Sequence, residues 1–167
     1  MTNQTRDAKE VRLVPVTRDN WRASLALGVH AEQQRFVADH APISLVALAK
    51  AYVGAGNKTW APYLLADGDG FVGFAALAVA DSVEPPEECW LFHFFISHEY
   101  QGRGLGRAAT KALIVEARDR YPGCDRLVLT VHPENVVARG LYESIGFVPT
   151  GAEVDGEPVF TLTLATD

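Results

Sequence analysis

Three things are scarce in this sequence of 167 residues: cysteine, surplus basic charge and any long apolar run. The two cysteines, Cys89 and Cys124, lie far apart and match neither a metal-ligand spacing nor a redox pair, so no metal is expected. Fifteen Lys and Arg stand against 21 Asp and Glu, a formal net charge of −6. A nucleic-acid partner would demand a basic stripe, which is missing. The acidic balance suits a cationic ligand, although solubility alone explains many such compositions. No run approaches the roughly 20 apolar residues that span a bilayer, and the opening "MTNQTRDAKEVRL" lacks the apolar centre of a signal peptide. The expectation is a cytoplasmic protein with no membrane partner. Repeats, low-complexity tracts and dividing linkers are absent too, which points to one domain over residues 1–167.

What is present is a globular composition, 48% hydrophobic and 22% charged, with enough length for a proper core. "VRLVPVT" reads as a strand whose Pro15 marks an edge or a bulge. Asp19 or Asn20 is placed to cap a helix from Trp21 that carries Leu25, Val29 and Phe36 on its apolar side. "HAPIS" interrupts that pattern, and Ser44 is placed to cap a second helix through about residue 53, ended by Gly54, Gly56 and Asn57. "TWAPYLLAD" and "FVGFAALAVA" form a hairpin around the intervening Asp-Gly turn. After the acidic, proline-bearing loop "DSVEPPEE", the nearly unbroken apolar run "CWLFHFFIS" predicts a central strand covered on both faces.

A glycine-rich stretch and a helix to about Tyr121 follow, then the buried strand "DRLVLTV". A short helix from Asn135 to Ile145 stops at Gly146, and a hairpin turning at Asp155-Gly156 ends the sequence. The order β, α, α, β, β, β, α, β, α, β, β predicts an α/β fold. It has a mixed, mostly antiparallel sheet of about six to seven strands with flanking helices.

The stretch "QGRGLGR" is where chemistry is expected. A strand that reaches a helix through glycines exposes backbone N–H groups that have no partner inside the helix, and the helix dipole adds positive character. Such a turn suits phosphate, with Arg103 and Arg107 as charges at its rim. A Walker loop, G-x-x-x-x-G-K-[ST], does not occur. "GLGRAA" satisfies the loose dinucleotide pattern. However, only about 60 residues follow it, and the loop "SHEYQ" before it is longer than dinucleotide folds use.

Two strings together resemble the GNAT-type N-acetyltransferases. "QGRGLG", Gln101 to Gly106, matches that family's Q/R-x-x-G-x-G/A signature. "ENVVARGLYESIGF" matches its second motif through Asn135, Ala138, Leu141-Tyr142 and Gly146-Phe147. The resemblance implies that the turn binds the pyrophosphate of acetyl-CoA through the amides of about Gly102 to Arg107, Leu105 among them. It implies that the pantetheine arm lies beside Phe94, Phe95 and Ile96 in a slot between splayed central strands. It further implies that Asn135 contacts the cofactor and Tyr142 protonates the departing thiolate. Asn135, Ala138 and Tyr142 fall on one helical face. The residues alone leave Tyr142 open to a second reading, as a core aromatic.

Transfer to an amine needs a base for an ammonium whose pKa is near 10. His93 stands close to where family members carry a base or a water relay, and it reads equally as a buried, hydrogen-bonded histidine; His132 is a weaker candidate. "NWRASLALGVHAEQQRFVA", with "TGAEVDGEPVFTLTL", is similar to the bacterial spermine/spermidine acetyltransferases. It departs from them at His93 and Ser97, where that group often has Arg and Asp. The similarity implies a polyamine acceptor. Such a polycation calls for separated carboxylates, for which Glu32 and the loop residues Asp81, Glu84, Glu87 and Glu88 are candidates, and for aromatic surface, for which Trp21, Phe36 and Trp90 are. The loop reads equally as solvated, and Trp21 and Phe36 as a helix face in the core. The alternatives are a GNAT enzyme for an aminoglycoside, an amino acid or a protein N-terminus, and a non-catalytic acetyl-CoA sensor. A homodimer is expected from the habit of the family.

Overall fold

The computed structural model describes residues 9–164. Residues 1–8, most of the polar stretch behind the cytoplasmic expectation, and Ala165, the last residue of the expected closing hairpin, lie outside it. Seven strands form one sheet: β1 (Arg12–Pro15), β2 (Lys58–Asp67), β3 (Gly70–Ala80), β4 (Glu88–Ile96), β5 (Arg126–Thr130), β6 (Val148–Val154) and β7 (Glu157–Thr163). Their order is β1-β2-β3-β4-β5-β7-β6. Every pairing is antiparallel except β4 with β5. Four α-helices accompany them: α1 (Trp21–Leu25), α2 (Ile43–Val53), α3 (Leu105–Arg120) and α4 (Val136–Ile145). Among the described residues no helix is long and apolar enough to cross a membrane.

Pro15 sits on edge strand β1, where its missing N–H leaves no ladder bond broken. The sheet buries both faces. Leu105, Ala109, Leu113 and Ala117 of α3 pack on one face against Leu65, Leu91 and Leu127. Ile43 and Ala47 of α2 pack on the other against Phe74 and Phe95. Phe74, Phe147 and Phe160 are fully buried, each contributing about 1.5–3 kcal/mol of hydrophobic stabilisation.

Three expectations in the first third of the chain are corrected. The helix from Trp21 starts where expected but stops at Leu25, and a separate 3-10 turn spans Ala31–Phe36. The break comes from Gly28, which is pinned to the end of β4. Its N–H donates to Ser97 Oγ (3.1 Å), and its carbonyl accepts from Ser97 Oγ (3.0 Å) and from the His98 N–H (2.8 Å). Those bonds replace the helical ones. Asn20 occupies the cap position without capping: its Oδ1 accepts from the Thr17 N–H and its Nδ2 donates to Pro15 O. Ser44 is no cap either. It lies inside α2, whose cap residue is Pro42, and its buried Oγ has no partner.

The centre of the sheet is irregular in a way that shapes the site. β4 pairs with β5 only from Glu88↔Arg126 to Trp90↔Val128, and beyond Trp90 the two strands part. Against β3, the register of β4 shifts between Phe74↔Phe95 and Ala76↔Phe92, so β4 carries one extra residue there. His93 sits in that bulge at φ 51°, a conformation uncommon for a side-chain-bearing residue.

Candidate active site

A cavity of about 360 Å³ opens where β4 leaves β5. Its walls are the 3-10 turn, the end of β4, the glycine turn before α3, and the first turns of α4. The three glycines of the turn differ in kind. Gly102 and Gly104 have φ of +75° and +79°, and a Cβ on either would meet nothing within 4 Å. Their conformation strains any side chain, and the space above them is open. Gly106 has ordinary geometry, but a Cβ there would come within 3.4 Å of Leu141, so its absence lets α3 and α4 approach. Among the described residues, the amides of Gly102 to Arg107 donate to no protein acceptor. Six unpaired donors at the head of a 16-residue helix form an anion cradle.

Around that cradle, Arg107 lines the cavity and donates to Ser144 Oγ at 2.7 Å. Arg103 does not line it: its guanidinium donates to Glu99 O and lies over the Tyr100 ring. Gln101 faces the cavity but is spoken for. Its Nε2 donates to Ile96 O (3.0 Å) and Gln33 Oε1 (2.9 Å), and its Oε1 accepts from Gln33 Nε2 (3.1 Å). This amide pair ties the 3-10 turn to the glycine turn across the cavity.

On the opposite wall, Asn135 caps α4, its Oδ1 accepting from the Ala138 N–H at 3.3 Å. The cap leaves Nδ2 free to face a ligand. Ala138, Leu141 and Tyr142 follow on the cavity face. Tyr142 packs between Phe94, with ring centroids 6.4 Å apart, and Phe147 at 5.5 Å. Its hydroxyl has no hydrogen-bond partner among the described residues. Burial raises its pKa above the ordinary phenol range, so it stays protonated.

His93 is placed differently from the expected base. It does not line the cavity. Its Nδ1 donates to Val37 O (3.0 Å) and its Nε2 lies 3.1 Å from Lys50 Nζ. A carbonyl can only accept, so the proton is on Nδ1 and Nε2 receives from the lysine. Burial, with the Lys50 charge beside it, lowers its pKa to about 4. His132 Nδ1 accepts from the Glu134 N–H, and its ring packs on Phe36 with centroids 5.0 Å apart.

Of the residues expected to hold an acceptor, only Phe36 lines the cavity. One of its faces is covered by Arg35, whose guanidinium is 4.6 Å from the ring centroid and which also pairs with Glu134. The others lie apart from it. Glu32 borders a shallow surface depression with Arg35 and Asp39. Glu88 pairs with Arg126 and accepts from Trp90 Nε1. Glu84 is exposed on its loop, and Trp21 packs under Arg22. The cavity also holds Val29, Gln33, Val37, Tyr100, Val137 and Leu141, to which the sequence reading gave no role. Val29, Gln33 and Val37 lie inside the family-like string "NWRASLALGVHAEQQRFVA", and Val137 and Leu141 inside "ENVVARGLYESIGF", which was the available signal. Val29 read there as the apolar side of a helix, and it lines the cavity beyond the break at Gly28.

Comparison with known proteins places most of the chain among acetyltransferases of one family. The family model described as Acetyltransferase (GNAT) family matches residues 30–147. The spermine/spermidine N(1)-acetyltransferase of Bacillus subtilis (strain 168) is 31% identical over 155 residues, covering 92% of this chain and 99% of that protein. The ribosomal protein bS18-alanine N-acetyltransferase of Escherichia coli (strain K12) is 41% identical over 73 residues, 44% of this chain and 47% of that protein. Among solved structures, spermidine N-acetyltransferase from Vibrio cholerae, in complex with CoA and spermine, superposes with a TM-score of 0.69. It does so at 17% identity, over 93% of this chain and 96% of that one, which establishes the fold alone.

Proposed function

The chain belongs to the acetyltransferase (GNAT) family and is an acetyl-CoA-dependent N-acetyltransferase, and we propose that its acceptor is a small polyamine such as spermine or spermidine. The observation that carries this reading is full-length similarity to a relative named for those amines. The net charge of −6 supports it by favouring approach of a polycation. In the same reading residues 1–167 act as one N-acetyltransferase domain, in the cytoplasm, as a homodimer.

Bound acetyl-CoA supplies the acetyl group as an activated thioester, and the residues present fit such a molecule. The free amides of Gly102 to Arg107 are proposed to hold its pyrophosphate, with Arg107 adding charge and Arg103 acting from the rim. Phe94, Phe95 and Ile96, Leu105 and Asn135 line the cavity together with Tyr142, and the pantetheine arm is proposed to lie along them. Tyr142, protonated and without a protein acceptor, is the proposed proton donor to the departing sulfur. The acceptor nitrogen must arrive unprotonated, although a lysine-like amine has a pKa of about 10.4. His93 is the base of this proposal only through Nε2, which Lys50 must first vacate. Phe36 supplies the aromatic surface at the acceptor end; Trp21, Glu32, Glu84 and Glu88 contribute long-range charge or shape at most.

The test is free-thiol release from acetyl-CoA with spermine, spermidine, putrescine, an aminoglycoside and a short peptide bearing a free N-terminal alanine. Turnover confined to the polyamines is expected. Turnover with the peptide alone would move the acceptor to a protein N-terminus, in line with the partial similarity to the ribosomal-protein enzyme.

A further inference from the structure

Gly73 of β3 lies outside every recognised motif and does not line the cavity, yet it has the closest steric relation to the cavity's floor. An ideal Cβ on Gly73 would stand 2.3 Å from Phe95 O, 3.2 Å from Ile96 Cα and 3.1 Å from Leu65 Cδ1. The first two atoms are backbone and cannot rotate away. Restoring an ordinary carbon–oxygen contact of about 3.3 Å requires β4 to move from β3 by about 1 Å. The other side of β4 at this level is the cavity, because pairing with β5 has ended at Trp90.

The same pair of strands fixes which donor faces that cavity. In an antiparallel ladder, bonded and non-bonded pairs alternate. The Ser97 N–H donates to Val72 O at 2.8 Å, so Ser97 and Val72 are a bonded pair. The next pair, Ile96 with Gly73, therefore turns its peptide groups away from each other. For Ile96 this is visible directly: its carbonyl accepts from Gln101 Nε2 at 3.0 Å, on the cavity side. The Ile96 N–H lies on that same edge, with no strand opposite it.

We infer that Gly73 is a positioning residue for the acetyl-CoA slot. Its missing Cβ lets the Phe95–Ile96 segment settle against β3, which holds the Ile96 N–H at the cavity wall and keeps the slot wide enough for a ligand's amide-bearing arm. The inference rests on the acetyl-CoA reading and is independent of the acceptor. Displacement of a binding edge by about 1 Å is enough to weaken a well-fitted site strongly.

A second glycine supplies the control. A Cβ on Gly123 would stand 2.3 Å from Pro85 Cβ and 2.9 Å from Pro85 Cγ, in a loop remote from the cavity. Gly73→Ala and Gly123→Ala thus introduce equally close contacts in two places. CoA binding, read as the rise in thermal midpoint at saturating CoA without any acceptor, is compared with the unliganded midpoint. Gly73→Ala is expected to weaken CoA binding about tenfold or more, whereas Gly123→Ala lowers the unliganded midpoint and leaves CoA affinity unchanged. A folded Gly73→Ala protein that binds CoA like the parent would overturn the inference.

Hydrogen exchange in the parent decides the matter should Gly73→Ala not fold. The Ile96 amide is expected to exchange readily in the free protein and to slow on adding CoA. An Ile96 amide already protected without CoA would equally overturn the inference. Because no amine enters either measurement, a wrong acceptor assignment leaves both results standing. A parent that fails to bind CoA would sink the cofactor reading instead.

Discussion

The cavity has two ends, and they are built by different means. At the cofactor end, recognition is offered by backbone: six unpaired amides, two glycines in the left-handed region and a strand edge without a partner. At the proposed acceptor end the wall is made of side chains from distant segments: Phe36, backed by Arg35 and His132, and the Gln33–Gln101 pair. A backbone site constrains residue type at fixed spacing, because only glycine accepts those φ values without strain. A side-chain site constrains only what meets in space, and many residue combinations satisfy it. The first kind of site leaves a string in the sequence, and the second does not.

The residues between the two ends give the largest expected effects. Tyr142→Phe removes the only hydroxyl on the cavity face of α4 while keeping the ring between Phe94 and Phe147. A drop in kcat of about 10²-fold is expected, with the acetyl-CoA constant little changed. Retained turnover would return Tyr142 to the core.

His93 predicts a pH effect on stability. Its pKa is depressed to about 4 in the folded protein and near 6.5 when unfolded. Between those values the unfolded chain holds more protons, so this group's stabilisation is complete above about pH 6.5 and is lost as pH falls toward 4. From pH 7.5 to 5 the parent should lose about 2 kcal/mol through this residue, roughly 5 °C in thermal midpoint. His93→Gln should lack that part of the slope. Equal slopes would mean that His93 is not held neutral by its surroundings. If His93 is also the base, the same variant removes an acidic limb of kcat near pH 4 instead of near 6.5.

The contrast between the two ends also explains what was legible. The succession of elements along the chain, the hairpin turns and α3 followed from periodicity and glycine, since each is local. The helix from Trp21 was overextended because its break is imposed by Ser97, which binds Gly28 across 69 positions of sequence. The polyamine reading came from similarity, and the acidic loop was only a candidate source of its carboxylates: Glu84 is solvated and Glu88 is committed to Arg126. By position His93 read equally as a base and as a buried, hydrogen-bonded histidine. Only the bulge at φ 51° and the approach of Lys50 reveal that both its nitrogens are engaged.

Gly104→Val tests the backbone end directly. At φ +79° a β-branched residue is strained by about 1–3 kcal/mol, and its methyl groups would enter the open space above the amides. The apparent acetyl-CoA constant should rise at least about tenfold, while the constant for the amine stays within about twofold of the parent. A rise in both would mean that the two ends are not separate sites.

Phe36→Ala is the matching change at the side-chain end, and its effect should be the smallest of the four. The ring already has Arg35 over one face, so a bound ammonium gains only the remaining face or edge. A cation–aromatic contact of that exposure is worth about 0.5–1 kcal/mol, which corresponds to a two- to fivefold rise in the amine constant. The acetyl-CoA constant should not move if Phe36 belongs to the acceptor alone, as proposed. Steady-state kinetics with each substrate varied in turn reads both. Should Phe36→Ala instead raise the acetyl-CoA constant, the ring would belong to the cofactor wall.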